Sequence, residues 1–161
     1  MNETMKIIFG LVGGLAIFIY GMNMMSECLQ KAAGEKMKKI LALLTKNPIL
    51  GVLAGALTTA VLQSSSATTV MTIGFVSAGL MSLPQAISII LGANIGTTIT
   101  SQLVSFNLSA YAPLILLVGV LIAMFSGKEK VKKAADIVIG FGILFLGLST
   151  MSSYMADMKN V

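Results

Sequence analysis

The sequence contains no arginine, no histidine and no tryptophan, and a single cysteine. A lone Cys28 cannot close a disulfide within the chain. Without histidine or a second cysteine, the usual zinc-binding and thiol-catalysis sets are missing. The most informative absence is of charge: from Asn47 to Gly127 there is no Asp, Glu, Lys or Arg. That stretch is several times the roughly 20 residues a membrane-spanning helix needs. A soluble domain of this size has no core large enough to bury it. With a mean hydropathy of +0.92, the chain reads as an integral membrane protein.

What charge there is lies in two places. The net charge is +5, yet no arginine or basic–aromatic interleaving is present to suit nucleic acid. Most lysines fall in two clusters, Lys31 to Lys46 and Lys128, Lys130, Lys132 and Lys133. Positive clusters flanking apolar spans mark cytoplasmic loops. Cys28 reads as a small packing residue and the methionines as apolar filler. No small-residue cleavage site follows the first apolar run, so it reads as a span rather than a signal peptide.

Ile7–Met25 is that first span, with Gly10 and Gly14 spaced as in close helix contacts. Ser26–Lys46 is polar and amphipathic, with Met37, Ile40, Leu41 and Leu44 at helical spacing, and is expected to lie along the membrane surface. Asn47-Pro48 starts a new element. Ile49–Leu80 is apolar apart from a polar midpoint, and each flank is shorter than the about 17 residues a span requires. After Ser82-Leu83-Pro84 come spans at about 85–106 and 111–125, separated by a polar turn at Asn107–Ala110.

The lysines choose between a single crossing and a hairpin for Ile49–Leu80. A hairpin entering and leaving on one side returns both clusters to the cytoplasm; one crossing forces the second outside. The hairpin places both termini outside, with only Lys6 and Lys159 there. The final span, Ala134–Met155, resembles the first: Gly14, Ile17, Gly21, Met25 and Ser26 match Gly140, Ile143, Gly147, Met151 and Ser152 at constant offset. The two would cross in opposite senses, as an inverted-topology repeat requires.

Two polar clusters could carry chemistry. Every residue of Gln63-Ser64-Ser65-Ser66-Ala67-Thr68-Thr69 except Ala67 bears a hydrogen-bonding side chain. With a helix beginning near Ala67, Ser64–Ser66 would offer free N–H groups and hydroxyls to an anion. The amide and hydroxyl oxygens suit a hard cation such as Na⁺. Local back-bonding or interhelical packing is the plainer reading, but six neighbours strain it. In Gly92-Ala93-Asn94-Ile95-Gly96-Thr97-Thr98-Ile99-Thr100-Ser101-Gln102, two glycines around an asparagine predict a broken helix; a glycine-mediated packing crossing is the alternative. Thr58 and Thr59 could join the first cluster. No intramembrane acid or histidine is available for a proton relay, which favours Na⁺ coupling. Nothing supplies a base for the serines, which argues against an enzyme.

Gln63–Thr69 and Gly92–Thr98 together resemble the signature of the type II sodium/phosphate cotransporter family, and the resemblance runs from Gly14 to Met151. It implies inverted repeats, each with a re-entrant hairpin, and phosphate held between two tips. It implies phosphate contacts at Ser64, Ser65 and Ser66. It also implies sodium ligands among Gln63, Ser64, Ser65, Ser66, Thr68, Thr69, Asn94, Thr97 and Thr98. Such transporters carry two motifs where this sequence has one.

The expected fold is therefore an all-α membrane protein. It would be one transporter repeat over 1–126, with a re-entrant hairpin at 49–80 and a broken transmembrane helix. Residues 127–161 would hold a cytoplasmic lysine cluster and a span like the start of a second repeat. The expected function is sodium-coupled symport of inorganic phosphate at the plasma membrane, with no cofactor. The second repeat would come from an antiparallel homodimer copy or another chain. Alternatives are a non-transporting membrane subunit or regulator, and a pore lined by Ser and Thr, which the lack of a charged ring disfavours.

Overall fold

The computed structural model describes residues 2–43, 47–106 and 108–158. Every regular element among them is helical: α1 (Glu3–Leu43), α2 (Pro48–Leu62), α3 (Ser65–Ser77), α4 (Leu83–Ser105), α5 (Ala112–Phe125) and α6 (Glu129–Asp157), with a 3₁₀ turn at Leu108–Tyr111. The chain forms two compact units, Met1–Cys28 with Asn107–Val161, and Leu29–Phe106. Lys46, Asn107 and Lys159, used in the charge and turn arguments above, lie outside the described residues.

The first unit contains three helices long and apolar enough to cross a membrane, Glu3–Leu41, Leu108–Phe125 and Glu129–Asp157, the first continuing beyond it. Only 11% of the apolar window of α5 is buried. Leu114, Leu117, Leu121, Met124 and Phe125 face outward, a surface that suits lipid rather than water. Glycines hold the unit together, because apolar side chains gain nothing by leaving lipid for one another and close backbone contact must do the work. On α5 and α6, Gly119 lies against Ile139 and Gly142 against Leu116.

Between α1 and α6 the contacts are reciprocal. A Cβ on Gly14 would lie 2.9 Å from the Met151 nitrogen, and one on Gly140 would lie 2.7 Å from the Met25 nitrogen. A Cβ on Gly147 would meet the Gly14 carbonyl oxygen at 2.8 Å, and one on Gly21 would meet that of Gly140 at the same distance. Each contact maps onto its partner when the matched residues of the two helices are exchanged.

The second unit holds the lysine-rich half of α1 with α2, α3 and α4. Residues 26–43, read from the sequence as a separate segment, continue the first span as one 41-residue helix. No proline interrupts it, and hydropathy marks a change of surroundings rather than a helix end. The polar stretch begins near where α1 passes between units.

Sequence signals set the other ends. The Asn47 side chain accepts from Ile49 N–H at 2.9 Å with Pro48 in the first turn of α2, the expected start pattern. Gly79, at φ 69°, closes α3 with Leu80 N–H donating to Phe75 and Gly79 N–H to Val76, a Schellman end. Gln85 reaches back to accept from both the Ser82 N–H and the Ser82 hydroxyl at 2.8 Å, the returning half of a capping box.

The glycines of α4 correct one expectation. α4 is continuous for 23 residues, so Gly92 and Gly96 do not break it. They are the points where α2 presses in: a Cβ on Gly92 would overlap the Val52 backbone, and one on Gly96 would reach the Ala56 oxygen at 2.5 Å. Gly51 and Gly55 do the same from α2, against Ser88 and Ile89. Two glycine pairs at four-residue spacing interlock. The contacts advance together along both helices, so α2 and α4 run parallel and α3 returns the chain between them. α2 and α3 form a helical hairpin, and Leu41 of α1 shares one buried cluster with Ala54 of α2, Met81, and Ala86 and Ile89 of α4. The apolar part of α4, Leu83–Ile99, is shorter than the three spans, because threonines, Ser101 and Gln102 follow.

Candidate functional site

The joint between α2 and α3 is two residues long, and both are polar. Gln63 ends α2 at φ 54°, the only non-glycine with positive φ among the described residues. A left-handed backbone there costs about 1–3 kcal/mol for a residue with a Cβ. Its side-chain amide donates to the Ala60 carbonyl, and its backbone N–H donates to Thr59 at 2.7 Å. Gln63 thus satisfies carbonyls at the end of α2, which glycine could do only in part.

Ser64 is extended and caps α3, its hydroxyl accepting from Ala67 N–H at 3.1 Å. The first backbone bond of α3 runs from Thr68 N–H to Ser64 at 3.2 Å. Ser65 and Ser66 therefore stand in the first turn ahead of it, Ser65 half-buried and Ser66 exposed. The carbonyl end of α2 and the amide end of α3 meet within two residues, which puts partial negative and partial positive charge side by side.

Beneath the joint lies a buried hydroxyl chain. Thr59 donates to the Thr68 hydroxyl at 3.0 Å, Thr68 to the Ser64 carbonyl at 3.2 Å, and Thr72 to the Thr68 carbonyl at 2.8 Å. Thr58 is fully buried, and its hydroxyl has no partner. Thr69 is half-buried at the side of α3.

The second cluster is only partly brought to this place. Gly96 abuts Thr59, with a Cβ there reaching the Thr59 Cβ at 2.7 Å. Asn94, Thr97 and Thr98 instead lie on the exposed face of α4. The Thr97 and Thr98 hydroxyls donate to carbonyls of their own helix, Ala93 at 3.2 Å and Ile95 at 2.7 Å. No hydrogen bond among the described residues joins these side chains to the tip.

One contributor escaped the sequence reading. The Gln30 amide, on the lysine-rich half of α1, donates to the Leu62 carbonyl at 3.3 Å and so serves the last turn of α2. Gln30 faces α2 from a helical position between apolar neighbours and lysines, which gives no local signal of that contact. Among the described residues no group of three or more His, Cys, Asp or Glu could hold a metal ion. The oxygens available at the tip are hydroxyls, amides and carbonyls.

The profile of the Na⁺/Pi-cotransporter family matches residues 17–153, taking in both polar clusters and α6. The chain belongs to the Na⁺/Pi-cotransporter family. Among its relatives, "Uncharacterized protein YqeW" of Bacillus subtilis is 34% identical over 92% of this chain and 48% of its own. The "Putative inorganic phosphate export protein YjbB" of Escherichia coli K12 is 28% identical over 86% of this chain and 25% of its own. The human "Sodium-dependent phosphate transport protein 2B" is 36% identical over 59% of this chain and 14% of its own. The chain thus spans less than half the length of these relatives. No solved structure matches it. As a member of a transporter rather than an enzyme family, with three apolar spanning-length helices, it is a multi-pass membrane protein.

Proposed function

We propose that this chain is one half of a sodium-coupled inorganic phosphate transporter of the cell membrane, its site at the α2–α3 joint. The carrying observation is the joint itself. Gln63 holds an uncommon left-handed backbone that turns the carbonyl end of α2 and the amide end of α3 toward one place. Ser64, Ser65 and Ser66 offer hydroxyls and first-turn amides to phosphate oxygens. Gln63, Ser64, Ser65, Thr68 and Thr69 offer oxygens to Na⁺, which offsets the anion's charge.

The topology reading follows from length and charge. α2 and α3, of 15 and 13 residues, are too short to span and form a re-entrant hairpin. Both lysine clusters then face the cytoplasm and both termini face outside. The reciprocal α1–α6 contacts support an inverted repeat, with 1–126 as one repeat and α6 opening the next. The second tip comes from an inverted copy of this chain or from another chain. Asn94, Thr97 and Thr98, exposed on α4, are then placed to complete sodium coordination once that second half covers them.

Vesicles loaded with ³²P-phosphate or exposed to it, with the sodium gradient set either way, test coupling and direction together. Flux that follows the sodium gradient is expected; flux indifferent to sodium removes the coupling. The relatives' names divide between sodium-dependent transport and export, so both directions are measured. Gln63→Gly keeps the left-handed turn and removes the amide. It should leave thermal stability intact while weakening sodium dependence at least about tenfold, the equivalent of roughly 1.4 kcal/mol; unchanged sodium dependence moves the cation elsewhere.

A further inference from the structure

The hairpin has two unlike sides. Leu53 and Leu57 on α2 and Val70 and Ile73 on α3 point outward and suit lipid. The side toward α1 is charged. Gln30 of α1 donates to Leu62 at the tip end of α2, while Leu41 shares a buried cluster with Ala54, nearer the start of α2. From Gln30 to Leu41, about 16 Å at 1.5 Å per residue, α1 therefore runs antiparallel to α2. Lys31, Glu35, Lys36, Lys38 and Lys39 all fall within that stretch. They lie alongside the hairpin rather than beyond it.

Charge in that position needs water. Ionisable side chains within a membrane face a water-filled cavity or pair with one another. Glu35 and Lys38 do pair, at 2.7 Å, yet they stay 83% and 47% exposed. They border a cleft of about 360 Å³, with Lys31, Glu35 and Lys38 on one wall and Leu62, Ala67 and Met71 on the other. That is room for several waters of about 30 Å³ each. Leu62 is the last residue of α2 and Ala67 stands in the first turn of α3, so the cleft adjoins the joint on both sides of Gln63–Ser66. Irregular backbone at membrane depth is tolerated only against protein or a water-filled cavity. From the tip, the charged positions lead toward Leu41 and the lysine-bearing side.

We infer that this cleft is the aqueous route by which hydrated small ions, sodium and inorganic phosphate, reach the tip from the lysine-bearing side. The inference rests on reading α2 and α3 as a re-entrant hairpin, and it makes the present arrangement the one open to that side. The charged wall acts by keeping water in the route, whether or not its members are paired, and it binds no ion itself.

Single cysteines in the full chain, in a Cys28→Ala background, test the route in lipid vesicles. A charged, membrane-impermeant thiol reagent is added to one side at a time. The lysine side is identified in the same vesicles by acylation of the native lysines with an impermeant amine reagent. Ala67→Cys and Met71→Cys, half-buried on the cleft, are expected to react from the lysine side at least about tenfold faster than Val70→Cys and Ile73→Cys. The latter positions are more exposed, at 67% and 54%, but they face lipid. The thiolate is the reactive form, and apolar surroundings suppress it. If Ala67→Cys and Met71→Cys are inert, react no faster than the lipid-facing pair, or react only from the far side, the route is overturned.

Gly34 stands on the α1 wall of the cleft, where a Cβ would meet nothing within 4 Å. Gly34→Trp projects an indole into the cleft and should slow the reaction of Ala67→Cys at least about threefold. An unchanged rate in that variant, shown to be folded by its thermal melt, also overturns the route. Leu80→Cys separates the two readings. Leu80 is 68% exposed just past α3, and a re-entrant hairpin puts it on the lysine side. Reaction of Leu80→Cys only from the far side removes the hairpin and the route with it. Reaction from the lysine side, with Ala67→Cys and Met71→Cys inert, keeps the hairpin and removes the route alone. Modification at both cleft positions without sodium-driven flux leaves the route standing and sinks the transport reading.

Discussion

The two units use glycine alike and polar groups differently. In the first, Gly14, Gly21, Gly140 and Gly147 bring α1 and α6 together, and Gly119 and Gly142 do so for α5 and α6. In the second, Gly51, Gly55, Gly92 and Gly96 bring α2 against α4. Yet among the described residues the buried polar side chains, Thr58, Thr59, Thr68, Thr72 and Ser88, all belong to the second unit. A membrane protein needs close backbone contact wherever helices associate. It needs buried hydroxyls only where they satisfy freed backbone groups or face a ligand. The first unit reads as scaffold, the second as the place where a site is built.

The shared device is the first thing to break, and its loss should be the largest effect. Gly21→Leu and Gly55→Leu each drive a side chain into backbone, of Leu144 and Ile89 respectively, which cannot move aside. Each should lose upwards of about 3 kcal/mol and much of its folded yield, measured by size-exclusion and thermal unfolding in detergent. A Cβ on Gly13 meets nothing within 4 Å, so Gly13→Leu should keep the fold. If Gly13→Leu were as damaging as Gly21→Leu, helix–helix contact would not be the reason for these glycines.

That device also marks how far the sequence could be read. Asn47-Pro48 and Ser82-Leu83-Pro84-Gln85 announced the starts of α2 and α4, because caps act on neighbours a few residues away. The polar run at Gln63 announced the turn for the same reason. Gly92 and Gly96 were misread as a break, since a glycine that kinks a helix and one that admits a neighbour look the same without the neighbour. Gly51 and Gly55, at matching spacing, were the available hint. The bond from Gln30 to Leu62 and the cleft lined by Lys31 and Lys38 join residues about thirty positions apart. No local pattern encodes them, so the charged wall beside the tip was not legible.

Within the second unit the next effect is smaller. Ser64→Ala removes the hydroxyl that accepts from Ala67 N–H, and loss of such a cap costs about 1 kcal/mol, within 0.5–2. It should also reduce phosphate binding, because the first turn of α3 loses its anchor. Adding back stability by Gly13→Ala, in the other unit, should restore the melting temperature and leave binding impaired. If binding recovered too, the cap would matter for folding alone.

The finest contrast is between two adjacent threonines. Both Thr58 and Thr59 are essentially buried, but only Thr59 has a partner, the Thr68 hydroxyl at 3.0 Å. Thr59→Val leaves the Thr68 oxygen without that donor and should cost about 1 kcal/mol, the net worth of one such bond. Thr58→Val removes a hydroxyl that is already unpaired and substitutes a methyl of the same shape. An unsatisfied buried polar group carries its desolvation cost without return, so its removal should be neutral or stabilising by up to about 1 kcal/mol. Paired melts of the two variants in detergent, with and without sodium, separate packing from ligation. Thr58→Val that is stable in both conditions makes Thr58 a packing residue. A variant that instead loses the stabilisation sodium gives to the parent protein makes the Thr58 oxygen a cation ligand, and extends the site one turn below Gln63.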